Sequence, residues 1–458
     1  MPPAQKDRSA ACFIYLFFSL CSLWLIPLAT AYFSETNLPP LRADVRLVTN
    51  IIFLNLAAAY CLFLKNPSRS GEFGKAAWAA LILVGVALCA TPPVFSGDLN
   101  EYLLRGRIWA VHHANPYYHA PNEFPNDLMY PYTSWWNTPH TYGPIFAFVQ
   151  TAPILVFPDS IIGPAILLKI ILLAFLIGSC LLFGKILEEA GVPERQRFFT
   201  ALALNPLFIV MTLLDGHNDI VMIFFTFGAV LYFLRGRYTR SFLFWTLAFL
   251  VKYTVVLILP FLIVRAIRLE HEKDPSGIWF FILKQLALNV LVIAAVFAPF
   301  WRGVQTFGVL IEVSQWFYSN TVPYMAHQAL GLLGLQVGEK TVKYVFLGLF
   351  AAVYGSLLWL AATEREIRPA GLFRIFGVAY LAFFCAITSP VMANYYMWAL
   401  PWLLLAELPL PNFFTTLMSF MALFFYFKRP NYLMALALLI YGMGLWANRK
   451  KLSGASTS

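Results

Sequence analysis

Apolar runs of about 20 residues recur along this chain from residue 12 to residue 447, and its charges gather in the short loops between them. Within hydrocarbon every backbone N–H and C=O must find its partner inside the segment, so each run reads as a membrane helix. Composition closes the alternative. Of 458 residues, 60% are hydrophobic and 12% charged. A soluble domain carries ~25% charged residues, so a string of such domains would lack the polar surface to cover itself. The formal net charge is +10. In a polytopic chain that excess is first a topology signal, because lysine and arginine stay on the cytoplasmic side. No basic stripe or tail of useful length exists, which argues against a nucleic-acid partner and leaves the lipid bilayer. The expected class is an all-α polytopic membrane protein.

The six cysteines, Cys12, Cys21, Cys61, Cys89, Cys180 and Cys385, lie inside apolar runs without metal or CxxC spacing. They are expected as small buried hydrophobes. The first run lacks a small-x-small exit and reads as an anchor, not as a cleavable signal.

Charge then assigns the sides. Spans are expected at 12–32, 47–64 and 76–95, with Lys65, Arg69 and Lys75 marking the second connector as cytoplasmic. Residues 96–140 follow as an outer loop. The run 142–158 is short, and if it crossed, Arg195 and Arg197 would fall outside. It therefore reads as a membrane-parallel or re-entrant helix, and 162–187 as the crossing one. Residues 198–214 go out, and 219–234 return to the basic cluster 235–240. The run 241–264 is followed by Arg265, Arg268 and Lys273, so a single span would strand one basic group outside. A hairpin of two short helices, with Lys252 near its tip and Pro260 on the descending arm, keeps both groups inside. Further spans are expected at 277–300, 341–362, 372–388, 395–410, 412–427 and 431–447, with a second outer segment at 301–340. The total comes to about 13 or 14 membrane helices.

The outer loop 96–140 differs from everything around it. It holds four of the seven histidines (His112, His113, His119 and His140), Trp109, Trp135, Trp136 and several tyrosines. Four carboxylates (Asp98, Glu101, Glu123 and Asp127) outnumber its two arginines, Arg105 and Arg107. Aromatic faces with a few polar groups suit a sugar ring, although an interfacial aromatic belt has the same composition. Asp98 stands three residues past the end of a span. Partial desolvation there would raise its basicity, as a general base needs, whereas a plain helix N-cap needs only its position. The turn Asp215-Gly216-His217-Asn218-Asp219 packs two carboxylates and an imidazole into five residues, more than a tight turn requires. A divalent cation there is conceivable but not favoured, since no further ligands follow in sequence. Lys252 lies inside an apolar run, where a lysine costs roughly 2.5–3.5 kcal/mol and so has a partner or a task. A lipid-linked phosphate would be one partner. Lys169 and Lys284 sit nearer helix ends, where snorkelling is easy.

Together these features resemble the GT-C superfamily of integral-membrane glycosyltransferases, nearest the bacterial polyprenyl-phosphate-mannose-dependent α-mannosyltransferases. The elements run in family order: residues 97–107 (GDLNEYLLRGR), Asn115-Pro116-Tyr117, Tyr142-Gly143-Pro144, Asn205-Pro206 with the acidic turn, Lys252-Tyr253 with Pro260, and Asn394-Tyr395-Tyr396-Met397-Trp398. The resemblance covers about residues 76–410. In simpler members the catalytic loop follows the first span, whereas here it follows the third. Residues 1–75 are accordingly two accessory helices, 76–300 the catalytic membrane module, and 301–458 a variable C-terminal region.

The resemblance implies an integral-membrane transferase in a bacterial cytoplasmic (inner) membrane with its active site facing outward. It implies a polyprenyl-phosphate sugar donor carrying a hexose, mannose foremost, and a glycan or glycolipid acceptor, with no cofactor. Asp98 matches the catalytic aspartate and Asp215, His217, Asn218 and Asp219 the second acidic motif. Lys252, with Arg105 and Arg107, is expected at the donor phosphate. Tyr102, Asn115, Tyr117, Trp135, Trp136, Tyr142, Asn394, Tyr395 and Tyr396 are expected at the sugar or the acceptor. No general acid is required, because phosphate leaves as a stabilised anion, unlike the paired carboxylates of a glycosidase. The runner-up is a transporter or flippase of a lipid-linked saccharide. It would need no carboxylate at the loop rim and would more often show internal repeats, of which none is visible. A structural scaffold explains the hydropathy but neither polar knot.

Overall fold

Satisfying the backbone inside each apolar run gives helices throughout. The structure is a computed structural model that describes residues 3–33, 43–65, 72–309, 321–364, 367–388 and 391–406. Among the described residues there is no β-strand, only an isolated bridge between Arg302 and Val304. The chain is an all-α polytopic membrane protein. Its first helices are α1 (Pro3–Cys21), α2 (Leu25–Phe33), α3 (Ala43–Lys65), α4 (Glu72–Cys89), α5 (Asp98–Ala110) and α6 (Pro144–Val156). There follow α7 (Ile162–Glu189), α8 (Arg195–Ala203), α9 (Pro206–Ile209), α10 (Asp219–Leu234), α11 (Tyr238–Phe249), α12 (Leu259–Lys273) and α13 (Ile278–Phe297). The described part closes with α14 (Val322–Leu332), α15 (Glu339–Thr363), α16 (Pro369–Ala386) and α17 (Tyr396–Leu405).

Seven stretches among the described residues are long and apolar enough to cross a bilayer: Ala10–Ala31, Leu47–Lys65, Ile162–Glu189, Arg195–Leu214, Ile278–Phe300, Glu339–Thr363 and Pro369–Ala386. Gly74–Cys89, Pro144–Val156 and Asp219–Leu234 are shorter apolar helices. The spans expected at 412–427 and 431–447, and the last residues of 395–410, lie outside the described residues. At 1.5 Å per residue, α6 reaches only about 20 Å against a ~30 Å hydrocarbon core, too short for the straight crossing that the expected membrane-parallel or re-entrant helix avoids. Of the six cysteines, Cys89 and Cys180 are buried, Cys21 is exposed and the other three are half-buried. The expectation of six buried thiols is corrected, because in lipid an apolar side chain need not face the protein core.

Two departures from straight helices build the site. The run 198–214 breaks at Asn205, whose side chain accepts from the N–H groups of Leu207 (2.9 Å) and Phe208 (3.4 Å) and so caps α9. Val210–Leu214 then winds as a π-helix, a wide turn common at functional sites. The run 241–264 breaks between α11 and α12 at Leu250–Lys252, followed by a 3-10 turn over Tyr253–Ile258. It is a hairpin. Lys273 at the end of α12 sits 5.5 Å from the ring centre of Tyr238 at the start of α11, which brings the two basic clusters to one face. The helix-end carbonyls at the buried tip are satisfied by a strap from before α6: Gly143 N–H donates to Val251 O and Ile145 N–H to Leu250 O, both at 3.0 Å. A Cβ at position 143 would lie 2.0 Å from Leu250 O, so only glycine fits the strap there.

Candidate active site

Asp98 opens α5 but does not cap it. Gly97 occupies the cap position, and the Asp98 carboxylate turns instead toward the second acidic loop. Its Oδ2 lies 3.2 Å from His217 Nδ1 and accepts from the Tyr102 hydroxyl at 3.3 Å. The His217 contact has ion-pair distance but poor alignment for a hydrogen bond, since His217 Nδ1 finds no well-directed acceptor. The Asp98 side chain is 27% exposed, while Asp215 and Asp219 are fully buried.

The acidic turn is clamped against α5 and the residues before it. Gly216 adopts φ +77°, and a Cβ there would meet Leu99 Cδ1 at 2.7 Å. Asp215 Oδ1 accepts the N–H groups of Val94 (3.2 Å) and Phe95 (3.0 Å). Beneath them, Lys169 of α7 donates to Thr91 O and Leu214 O at 2.7 Å each, and reaches Leu88 O at 3.5 Å. One ammonium thus caps the ends of the two helical segments whose onward chains carry Asp98 and Asp219. Lys169 is 1% exposed, so the expectation of snorkelling is corrected. Its helix end is surrounded by protein carbonyls, not by interfacial water. Lys284 is exposed.

Asp219 faces the hairpin tip. Its Oδ1 is 2.6 Å from Lys252 Nζ and accepts from Trp398 Nε1 at 2.5 Å, and its Oδ2 accepts from Asn394 Nδ2 at 2.7 Å. Lys252 Nζ also lies 3.5 Å from Asn218 Oδ1 and within 5.0–5.4 Å of the ring centres of Tyr142, Tyr395 and Trp398. A buried ammonium held by one carboxylate and three aromatic faces is well compensated. Tyr142 joins both halves, since its hydroxyl is 3.5 Å from that of Tyr102.

The remaining predicted residues divide. Arg105 pairs with Glu101 Oε2 (2.7 Å) and donates to Thr138 O (2.7 Å). Arg107 pairs with Asp127 (2.9 Å) and donates to Pro158 O. Both arginines are buried and bonded to Glu101, Thr138, Asp127 and Pro158, and no contact with Lys252 is seen among the described residues. Asn115 donates to Phe300 O (2.9 Å) and Tyr117 to Tyr142 O (2.8 Å), ties that fix the loop. Tyr396 packs against Phe384 in the core. Trp135 and Trp136 are 40% and 45% exposed on the loop surface. Among the described residues, no group of three or more His, Cys, Asp or Glu side chains could hold a metal ion. The two carboxylates of the acidic turn point to different partners.

A family described as alpha-(1->6)-mannopyranosyltransferase, N-terminal domain, matches residues 19–268. The chain belongs to this family. It is 26% identical over 344 residues to alpha-(1->6)-mannopyranosyltransferase A of Mycobacterium tuberculosis, a match covering 70% of this chain and 62% of that protein. The chain thus spans less than two thirds of that relative's length. No solved structure matches. Asp98, Lys169, the acidic turn and Lys252 all fall inside the family stretch, whereas Asn394 and Trp398 lie beyond it.

The electrostatics of the two acidic loops are unequal. Burial opposes ionisation of Asp98, but His217 outweighs it and, with Ser96 and Lys252, holds the carboxyl down at about 2. The raised basicity expected from desolvation is therefore reversed by the imidazole. Burial pushes Asp215 up to about 6 despite His217, the Phe95 and Val94 amides and Lys169. Burial also works against a charged His217, yet Asp98, Asp215 and Asp219 together raise its pKa. Burial and Arg105 drive His140 down to about 3. The arrangement offers one accessible carboxylate backed by a buried imidazole, beside an Asp219–Lys252 ion pair under aromatic faces. Lys169 and Trp398 were not singled out for this site by sequence. A lysine within an apolar run was the only signal for the first, and a place in the late motif the only signal for the second.

Proposed function

We propose that this chain transfers a mannosyl residue from a polyprenyl-phosphate mannose to a hydroxyl of a glycan or glycolipid, with inversion at the anomeric carbon. The acceptor oxygen attacks that carbon, the bond to the phosphate oxygen breaks, and the hydroxyl proton passes to Asp98. General-base assistance of this kind contributes about 10²–10⁴-fold. Polyprenyl phosphate leaves as an anion, so the reaction draws on no general acid and no cofactor. Lys252 is the proposed contact for the departing phosphate, since Asp219 occupies only one of its three N–H donors at short range. Tyr142 and Tyr395, which flank Lys252, are the proposed sugar-facing rings, with Trp135 and Trp136 toward the acceptor. Arg105 and Arg107 drop out of the donor site in this reading. The proposed setting is a bacterial inner membrane with the site facing outward.

The observation that carries this reading is the contrast in access: Asp98 is open, while Asp215 and Asp219 are buried. Inversion of a β-linked donor also gives the α anomer named in the family's description. The test is purified protein in liposomes with a radiolabelled polyprenyl-phosphate mannose and a mannoside acceptor. An α-linked mannosyl product is expected. Label that crosses the bilayer without a new glycosidic bond would refute the transferase and favour a transporter of lipid-linked saccharide.

A further inference from the structure

We infer that His217 is a positioning residue for Asp98, holding the carboxylate anionic and turned toward the acceptor while the sugar is transferred. This rests on Asp98 being the base. Three features of the geometry point to it. The ring is 1% exposed and its Nδ1 stands 3.2 Å from Asp98 Oδ2. Its backbone N–H donates to Met211 O at 2.8 Å, which fixes the main chain that carries the ring against the π-helical turn. Among the described residues its Nε2 has no partner, and Asp98 is the side chain that the ring meets at ion-pair distance.

The charged groups around the pair favour a cationic ring. Asp215 and Asp219 belong to the same turn, Asp98 faces it from α5, Lys252 from the hairpin tip, and Lys169 from α7 beneath Asp215. Tyr102 adds a hydroxyl on the same carboxylate oxygen. A buried carboxylate without such a partner tends toward its neutral form, which can accept no proton. A ring whose pKa is raised keeps Asp98 anionic on the acid side of the profile. Asp98 takes the acceptor's proton and returns it to water through its exposed edge, and His217 passes no proton in the transfer.

The test is the pH dependence of kcat between pH 5 and 9 for wild type, His217→Asn and Asp98→Asn, each first shown monodisperse in detergent. Asparagine keeps a polar group near Nδ1 but removes the charge. Wild type is expected to vary less than about twofold on the acid side. His217→Asn is expected to lose about tenfold per pH unit below the raised pKa of Asp98. Superimposable profiles for wild type and His217→Asn would overturn the inference about His217. Normal transfer by Asp98→Asn would instead overturn the base assignment on which it stands. If His217→Asn does not fold, the wild-type profile decides: a flat acid side supports the inference, and a tenfold fall between pH 7 and pH 5 contradicts it.

Discussion

The outer loop and the acidic turn both pair carboxylates with cations, yet they are built to opposite ends. In the loop, Glu101 accepts from Arg105, Ser134 N–H and Trp135 N–H, and Asp127 accepts from Arg107, His112 and Met129 N–H. At the acidic turn and its neighbour more polar atoms are left over: among the described residues Asp215 Oδ2, His217 Nε2, Asn218 Nδ2 and Asn394 Oδ1 have no partner, against His140 Nε2 in the loop. A saturated network is a clasp, and buried groups with unspent capacity are costly unless function retains them. The loop's ion pairs hold a surface in place, and the knot below it is where chemistry is to be sought.

Four substitutions would break or sharpen this contrast. Lys252→Met leaves Asp219 buried without its cation and is expected to destabilise by about 3–5 kcal/mol, read by thermal unfolding in detergent. Adding Asp219→Asn should recover much of that loss, and in the folded fraction of Lys252→Met the donor KM should rise with the acceptor KM little changed. Lys169→Met strands carbonyls that it now caps, so a loss of about 1–3 kcal/mol is expected, with kcat reduced because the two acidic loops lose their common anchor. Arg105→Gln should lower stability while the donor KM stays at its wild-type value. A specific rise in donor KM would return that arginine to the phosphate.

The smallest effect is the pH dependence of stability. His217 has a raised folded-state pKa, so its contribution is full below its unfolded value near ~6.5 and fades as pH climbs through the folded value. Asp98 is depressed to about 2. Its contribution is therefore present above its unfolded value near ~3.9 and lost only as pH falls toward the folded one. The melting-temperature gap between wild type and His217→Asn should be widest at about pH 4–6.5 and narrow above it. A gap that widens with rising pH would contradict the charge assigned to the ring.

Much of the fold was legible in sequence because hydropathy and charge act locally. The hairpin at 241–264 followed from two basic groups that had to share a face, and α6 from a run too short to cross. The site was legible only in pieces. Arg105 pairs with Glu101 one turn away, a spacing open to inspection, but Arg107 meets Asp127 across a folded loop. Nearness to Asp98 along one helix therefore said nothing about which way either arginine faced. Lys169 looked like a snorkelling residue because sequence does not reveal which carbonyls crowd a helix end. Asn394 and Trp398 reach Asp219 from 175 and 179 positions away, a contact that no periodicity encodes.

The most direct measurement sets one carboxylate from each region side by side. Asp98→Asn and Asp127→Asn are assayed in the same liposomes for mannosyl transfer per folded molecule and for melting temperature. The prediction is that transfer per folded molecule falls about 10²–10⁴-fold in Asp98→Asn, with a melting-temperature loss no larger than that of His217→Asn, its partner in the pair. Asp127→Asn should lose stability because Arg107 is left buried without its partner, while its folded molecules transfer normally. The reverse pattern, with transfer surviving in Asp98→Asn and failing in folded Asp127→Asn, would contradict the division of labour between knot and clasp.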